Sequence, residues 1–450
     1  MASFNLTKNR VNTFFLGSVI FVSSGLLTAC GEMAKHPISA GIGTNPTLPA
    51  PNKTLIPTVH IAPAIGWPSA ATPIAGAGMT VKSYASGLEH PRWLYVLPNG
   101  DVLVAETNAP PKPEDGKGIK GWIMGLVMKR AGAGVPSANR ITLLRDVNGD
   151  GVADIRIPFL KDLRSPFGMV LVDNQFYVAN SDALMRYKYS DGDKQITDAG
   201  EKVIDLPGGP INHHWTKNVI GNADGKKLYV TVGSNSNVAE RGMAAEEGRA
   251  AIWEIDIATG KSRIFASGLR NPNGMAWDKD TNTLFTVVNE RDEIGSDLVP
   301  DYLTSVQDGA FYGWPYSYYG QHVDKRVQPQ QTDLVAKAVV PDYALGPHTA
   351  SLGLASSDGN KLPRMFETGM FIGQHGSWNR KPFSGYKVIF VPFVDGKPNG
   401  APIDVLTGFI SIENKAYGRP VGVTIDKSGA LLVADDVGNT IWRITASTAK

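Results

Sequence analysis

Two adjacent imidazoles, His213 and His214, stand beside Trp215 and Lys217 in the run GGPINHHWTKN (208–218), immediately ahead of an apolar stretch. A neutral imidazole near pH 7 can take a proton, so either histidine is a candidate general base. A second polar group lies in GLRNPNGMAWDKDTNTLFTVVNERDEIGSDLVPD (268–301). It opens with Arg270 and Asn271 and ends in Asn289, Glu290, Arg291, Asp292 and Asp297, so that guanidinium, amide and carboxylate groups gather at the two ends of a strand pair. Further polar residues occupy equivalent places along the chain, namely His348/Thr349, Gln374/His375/Arg380 and Arg419. A histidine pair alone is more often structural, but a ring of such groups reads as a pocket.

What positions them is a unit that recurs. A basic residue or His, then Pro or Gly, leads into a short strand, an Asp/Asn/Gly turn and an apolar strand. Copies run through 90–108, 165–182, 213–235, 271–292, 349–377 and 418–436, with the second strand centred near Leu103, Phe176, Leu228, Leu284, Phe371 and Leu431. Repeated strand–turn–strand units at this spacing predict an all-β fold, a six-bladed β-propeller over 79–446, in which the strand starts converge on one axial face. With 450 residues, 49 Gly, 30 Pro and 42% hydrophobic residues, the chain can bury a large core and is rich in turn formers. A net charge of +2 with dispersed Lys and Arg argues against nucleic-acid binding.

Residues 1–30 read as a targeting segment, with Lys8 and Arg10 ahead of an apolar core that is too short to favour a retained span. The ending Leu27-Thr28-Ala29-Cys30 resembles a bacterial lipobox, which implies lipidation of Cys30; an ordinary secretory signal is the alternative. Both export the chain, and a mature domain without a further cysteine has no disulfides. The expected location is periplasmic and lipid-anchored, with Gly31 favouring the outer membrane. The proline-dense stretch 31–78 reads as a linker, and the folded part is expected to begin near Thr80. An insertion, 110–140, is expected to pack as a loop or lid. The 146–154 stretch, DVNGDGVAD, has the oxygen spacing of a calcium loop, but Ile157 stands where a bidentate Glu belongs, so a metal-free turn is favoured.

Over about 80–443 the chain resembles the glucose/sorbosone dehydrogenases that use pyrroloquinoline quinone, and most nearly their L-sorbosone dehydrogenase branch. The resemblance rests on HHWTKN (213–218), LYVTVGSNSN (228–237), GLRNPNG (268–274), VNERDEIGSDLVPDYLTSV (288–306), FYGWPYSYYG (311–320), PDYALGPHTASLGL (341–354), HGSWNR (375–380) and GRPVGVTIDKSGALLVADD (418–436). It implies that His214, or else His213, removes the proton from a substrate hydroxyl, and that Arg270, accompanied by Asn271, polarises a quinone carbonyl. It implies calcium at the 289–292 segment, with Glu290, Arg291 and Asp292 as candidates, and cofactor contacts from Thr349, Arg380 and Arg419. Where the glucose-active members carry Gly-Arg after the catalytic His and Gly-Pro at the calcium segment, this chain has Thr216-Lys217-Asn218 and Glu290-Arg291. Lys217 is then the candidate replacement cation.

The aromatic run 311–320 divides evenly between sugar stacking and inter-blade packing. Trp378 is read as walling the pocket or closing a blade, with packing favoured, and the charge run from Glu240 to Arg249 as a solvated loop. No Cys-x-x-Cys-His occurs, so electrons must pass to an external acceptor, and no GxGxxG opens a βαβ unit. The expected activity is oxidation of a sugar-derived aldehyde or aldose. The alternatives are a calcium-dependent sugar lactonase and a non-catalytic binding propeller.

Overall fold

In a computed structural model the chain is described over residues 32–54, 58–111 and 125–447. The leader with Cys30 and the front of the insertion lie outside these residues. The described chain is all-β, with helix confined to a turn at 125–130, the segment Thr332–Val335 and short 3-10 turns. No helix among the described residues is long and apolar enough to cross a membrane.

Six antiparallel sheets form six blades around an axis. Their innermost strands are Pro91–Val96, Met169–Val172, Val219–Gly221, Asn271–Asp278, Ser351–Ser356 and Pro420–Ile425. The sixth blade takes its outermost strand from the start of the domain, where Met79–Ser86 pairs with Thr440–Ala446. This closure ties the first strand of the propeller to its last and locks the ring. Second strands such as Val102–Glu106 and Leu431–Asp435 are buried at every residue, because each blade is covered on both faces by its neighbours. That is why they read as continuous apolar runs.

The glycine of the repeated unit is explained by close approach between blades. A Cβ on Gly274 would stand 2.5 Å from the Leu354 amide nitrogen of the next blade, and one on Gly422 would stand 2.7 Å from the Arg92 carbonyl oxygen. Added atoms on Gly168 and Gly353 would likewise meet the backbones of Val219 and Val421. Trp93, Phe167, Trp215, Leu352 and Val421 come from five blades and form part of one apolar cluster, which joins those blades through their inner ends.

Register gathers the polar residues at that end. The start of each innermost strand faces the end of the second strand, as in Pro91 opposite Glu106, Asn271 opposite Asn289, Ser351 opposite Gln374 and Pro420 opposite Asp435. In three of these blades the register slips just after the first pair, and in that of Asn271–Asp278 just after the second. Such irregularity bends the strand start and re-aims its side chains.

The proline-dense stretch is not a free linker. Ile42–Gly43 adds to the fourth blade beside Tyr343–Pro347, and Ile74–Ala75 adds to the fifth beside Ile403–Thr407. Ala62 is fully buried, and the Trp67 indole donates to Asp435 Oδ2 at 2.6 Å. Proline bars regular sheet, but extended backbone with apolar side chains can still lie against the rim. The folded part therefore begins well before Thr80. At the end of the insertion, Asn108 donates to the Ala133 and Val135 carbonyls at 3.1 and 2.6 Å. In the 146–154 turn, the Asp146, Asn148, Asp150 and Asp154 oxygens accept backbone N–H groups of the same turn.

Candidate active site

One cleft at the polar end is lined by His214, Arg270, Asn289, Glu290, Asp292, Asp301, His348, Ala350, Trp378 and Asn379. The two residues expected to carry the chemistry thus share a wall. The His214 ring nitrogen Nδ1 donates to the Ser234 carbonyl at 2.8 Å. A carbonyl only accepts, so the proton sits on Nδ1 and the Nε2 lone pair is the basic one. Burial, and then the charge of Arg270, hold His214 well below its ordinary 6.5. The imidazole is therefore neutral and able to accept a proton at pH 7.

The Ser234 loop is braced from behind by residues expected to be solvated. Glu246 is buried and accepts from the Asn235 amide at 2.6 Å and from the Ser236 hydroxyl. Arg249, also buried, donates to Asn212 and Gly208. Gly233 lets the parts meet, since a Cβ there would run into His214 Cβ and stand 2.5 Å from Asn271 Oδ1. Gly233→Ala is accordingly expected to displace His214 and lower turnover more than tenfold, by the steep dependence of rate on placement. Near-normal turnover of that variant in a dye-reduction assay would show that the loop can shift without moving the base.

Arg270 is held on all sides. Its guanidinium donates to the Glu290 carbonyl at 2.7 Å, to the Asn237 carbonyl at 3.2 Å and to Asn237 Oδ1 at 3.0 Å, and it pairs with Asp292 at 3.2 Å. Asn237 also accepts from the Asp292 amide and donates to the Asp292 carbonyl. Asp292 is held further by Asn379 at 2.6 Å and His348 at 3.4 Å. Burial alone would raise the Asp292 carboxyl, but the His348 bond and the Arg270 charge outweigh it and bring it to about 2. Asp301 lies deeper, pushed up to about 6 by burial, and its carboxylate accepts from the Glu290 and Ser351 amides, Asn289 and Thr349.

Several expected residues are placed elsewhere. His213 points away from the cleft, with Nε2 3.3 Å from Arg241. Lys217 is fully buried, and its ammonium reaches only the His214 and Trp215 carbonyls at 3.3 and 3.4 Å. Arg380 turns to the Pro382 carbonyl and to Asp297. Thr349 sits behind the wall on Asp301. Arg291 is fully buried among Glu290, Asp324 and the Pro315 and Ser317 carbonyls, beneath Tyr318. Trp378, expected to pack, lines the cleft instead, whereas the aromatic run is interior, with Tyr312, Trp314, Tyr316, Tyr318 and Tyr319 all buried.

Arg419 belongs to a second polar cluster at the same end, on the side of the first and sixth blades. Asp436 there binds His375 at 3.0 Å and Arg92 at 3.1 Å, and stands 3.5 Å from His90. Burial works to raise Asp436, but His375, His90 and Arg92 hold it well below the carboxylate range. Among the described residues, Arg419 Nε and Nη2 and Arg92 Nε are buried with no hydrogen-bond acceptor, and Asn271 Oδ1 is buried with no donor. Buried guanidinium N–H groups left open in this way suit an anionic acceptor. His90, Arg92 and Asp436 were not singled out from sequence, although His90 and Arg92 flank the proline that opens the first repeat.

The family model described as "Domain of unknown function (DUF7133)" matches residues 77–377, and one described as "TrAA12-like" matches 317–447. An uncharacterised protein of Borreliella burgdorferi is 27% identical over 63% of this chain and 76% of its own length. A pyrroloquinoline quinone-dependent pyranose dehydrogenase of Coprinopsis cinerea is 28% identical over 40% of the chain, which spans 30% of that enzyme. Among solved structures, the holo pyranose dehydrogenase PQQ domain from Coprinopsis cinerea superposes with a TM-score of 0.66 at 20% identity, over 86% of this chain and all of that one. The calcium structure of the Trichoderma reesei family AA12 enzyme gives 0.68 at 18% identity, over 86% and 98%. These superpositions share the propeller fold.

Proposed function

The chain belongs to the family described as "Domain of unknown function (DUF7133)", and since that description assigns no chemistry, we propose a function from the cleft: oxidation of a sugar, an aldose or sugar-derived aldehyde, with pyrroloquinoline quinone as hydride acceptor. The observation that carries this is the pairing of a neutral imidazole, its Nδ1 committed to Ser234, with a fully braced guanidinium on one cleft wall. The 28% identical relative is named as an enzyme of this kind, which supports the choice of cofactor.

The quinone would be held by the open N–H groups of Arg419 and Arg92, which suit its carboxylates, and Arg270, with Asn271 beside it in the chain, would supply positive charge to its carbonyl. When bound, the group supplies an electrophilic carbonyl carbon for hydride and carries two electrons onward to an external acceptor. His214 Nε2 takes the proton of the substrate hydroxyl. Arg270, held in place by Asp292, Asn237 and the Glu290 carbonyl, offers fixed positive charge without reorganisation. The 289–292 segment does not fit calcium in this way, because the Glu290 carbonyl is taken by Arg270 and the Asp292 carbonyl by Asn237 and Arg326. Among the described residues, no group of three or more His, Cys, Asp or Glu is arranged to hold a metal. No step is routed through the ion. Export and lipid anchoring at Cys30 complete the proposal, supported by the leader's sequence pattern.

Incubating the protein with the quinone should give a bound absorbance and dye reduction on adding aldoses. Because His214 is depressed below 6.5, kcat/KM is expected to stay flat as pH falls through 6.5 and to drop only on protonation of the base at lower pH. Lactone hydrolysis without the quinone would replace this reading by the lactonase. Inertness toward both classes would leave a binding propeller.

A further inference from the structure

The N-terminal stretch runs along the side of the cleft and bonds both loops that form that side. Its front half takes the loop after Asn289. Glu32 accepts from the Ser296 hydroxyl at 3.0 Å through its carbonyl and from the Ser296 amide at 3.2 Å through its carboxylate. The Lys35 and His36 amides donate to Asp297 Oδ2 at 2.7 and 3.2 Å, and the Asn52 amide donates to the Ile294 carbonyl at 2.9 Å. Its later half takes the loop between Gly369–Gln374 and Lys387–Val394. The His60 amide donates to the Trp378 carbonyl at 2.8 Å, and its Nδ1–H to the Arg380 carbonyl at 3.0 Å. The His60 ring also stacks on Phe383, with centroids 4.0 Å apart and planes 7° from parallel. The Ala34 amide joins the two halves of the arrangement by donating to the Lys381 carbonyl at 2.8 Å.

The second loop supplies Trp378 and Asn379 to the cleft, and Asn379 reaches across to Asp292 at 2.6 Å. Between Trp378 and Phe383 the side chains of Asn379 and Arg380 reach Asp292 and Asp297 of the fourth blade, while the Trp378, Arg380 and Lys381 carbonyls and the Phe383 ring are held by this stretch, so the loop's backbone placement depends on a segment more than 300 residues away in sequence. A ring face and an amide side by side are the groups that hold a pyranose, whose apolar C–H face stacks on aromatics while its hydroxyls need hydrogen bonds.

We propose that residues 32–54 and 58–67 form a strap that sets the sugar-binding wall of the cleft, with His60 as the positioning residue for Trp378 and Asn379. This rests on the dehydrogenase reading for the identity of the ligand, but not for the positioning itself. A loop freed from the strap samples more conformations, so substrate binding weakens while the base and the guanidinium, held by Ser234 and Asn237, stay in place.

The test uses the full chain carrying His60→Ala, and separately Phe383→Ala, with hydrogen exchange and kinetics measured on each. In the quinone-free protein, amides of 376–383 should exchange about tenfold faster, while peptides covering His214 and Arg270 are unchanged. With the quinone bound, KM for the sugar should rise about tenfold and kcat should change less than about threefold. His60→Phe, which keeps the stack, should restore part of the protection. Unchanged exchange at 376–383 overturns the proposal, as does faster exchange spread over the whole propeller or a fall in kcat at constant KM. Should the unmodified protein oxidise no sugar, the dehydrogenase reading fails, and the exchange data still decide whether His60 positions the wall.

Discussion

Replacing His214 by alanine is expected to reduce turnover by about 10²–10⁴-fold, the range for loss of a positioned general base. Quinone uptake, read as bound absorbance, should be largely retained, because the open donors of Arg419 and Arg92 lie in a separate cluster. His213→Ala serves as the internal comparison. Its ring faces Arg241 outside the cleft, so that variant should keep most of its activity. A collapse of turnover in His213→Ala with near-normal rates in His214→Ala would reverse the assignment of the base.

Arg270→Ala should lower kcat by about 10²–10³-fold, as removal of a preorganised charge at a developing oxyanion does. Two effects combine here. The positive charge is lost from the reacting centre, and Asp292 keeps its carboxylate in a buried site without its guanidinium partner. Arg270→Lys is the sharper variant. It retains charge, but an ammonium cannot reach the Asn237, Glu290 and Asp292 acceptors together as the planar fork does, so it should recover only a minor part of the rate. Kinetics of Arg270→Ala indistinguishable from the unmodified protein would remove this residue from the mechanism.

Why some site residues could be read from sequence and others could not follows from strand geometry. A repeated strand–turn–strand unit places its ends on one face whatever the details, so Arg270, His214 and Arg419 were all assigned to the polar end. Successive side chains on an extended strand alternate in direction, and a slipped pair reverses that alternation. His213 and His214 stand in a bend ahead of Val219–Gly221, where no strand alternation says which ring enters the cleft, and the bulges at several other strand starts are not visible in residue types. Lys217 and Arg291 likewise lie outside the strands, and loop contacts send Lys217 inward beneath two carbonyls and Arg291 behind the wall. Asn237, the amide that braces both Arg270 and Asp292, sits in a run of small polar residues that reads as an ordinary loop.

The periodic apolar strands, the turn residues between them and the placing of Gly at blade contacts determined by themselves that this chain is a six-bladed propeller with a polar end rich in imidazole and guanidinium. Those are local signals, set by backbone sterics and by burial of each strand on both faces. Which side chains meet was decided only in three dimensions, where Gly233 lets His214 and Asn271 close together and where the proline-dense N-terminus returns across hundreds of residues to hold the Trp378 loop. Hydrogen bonds between such distant segments depend on closure of the whole ring, and no stretch of sequence carries that information alone.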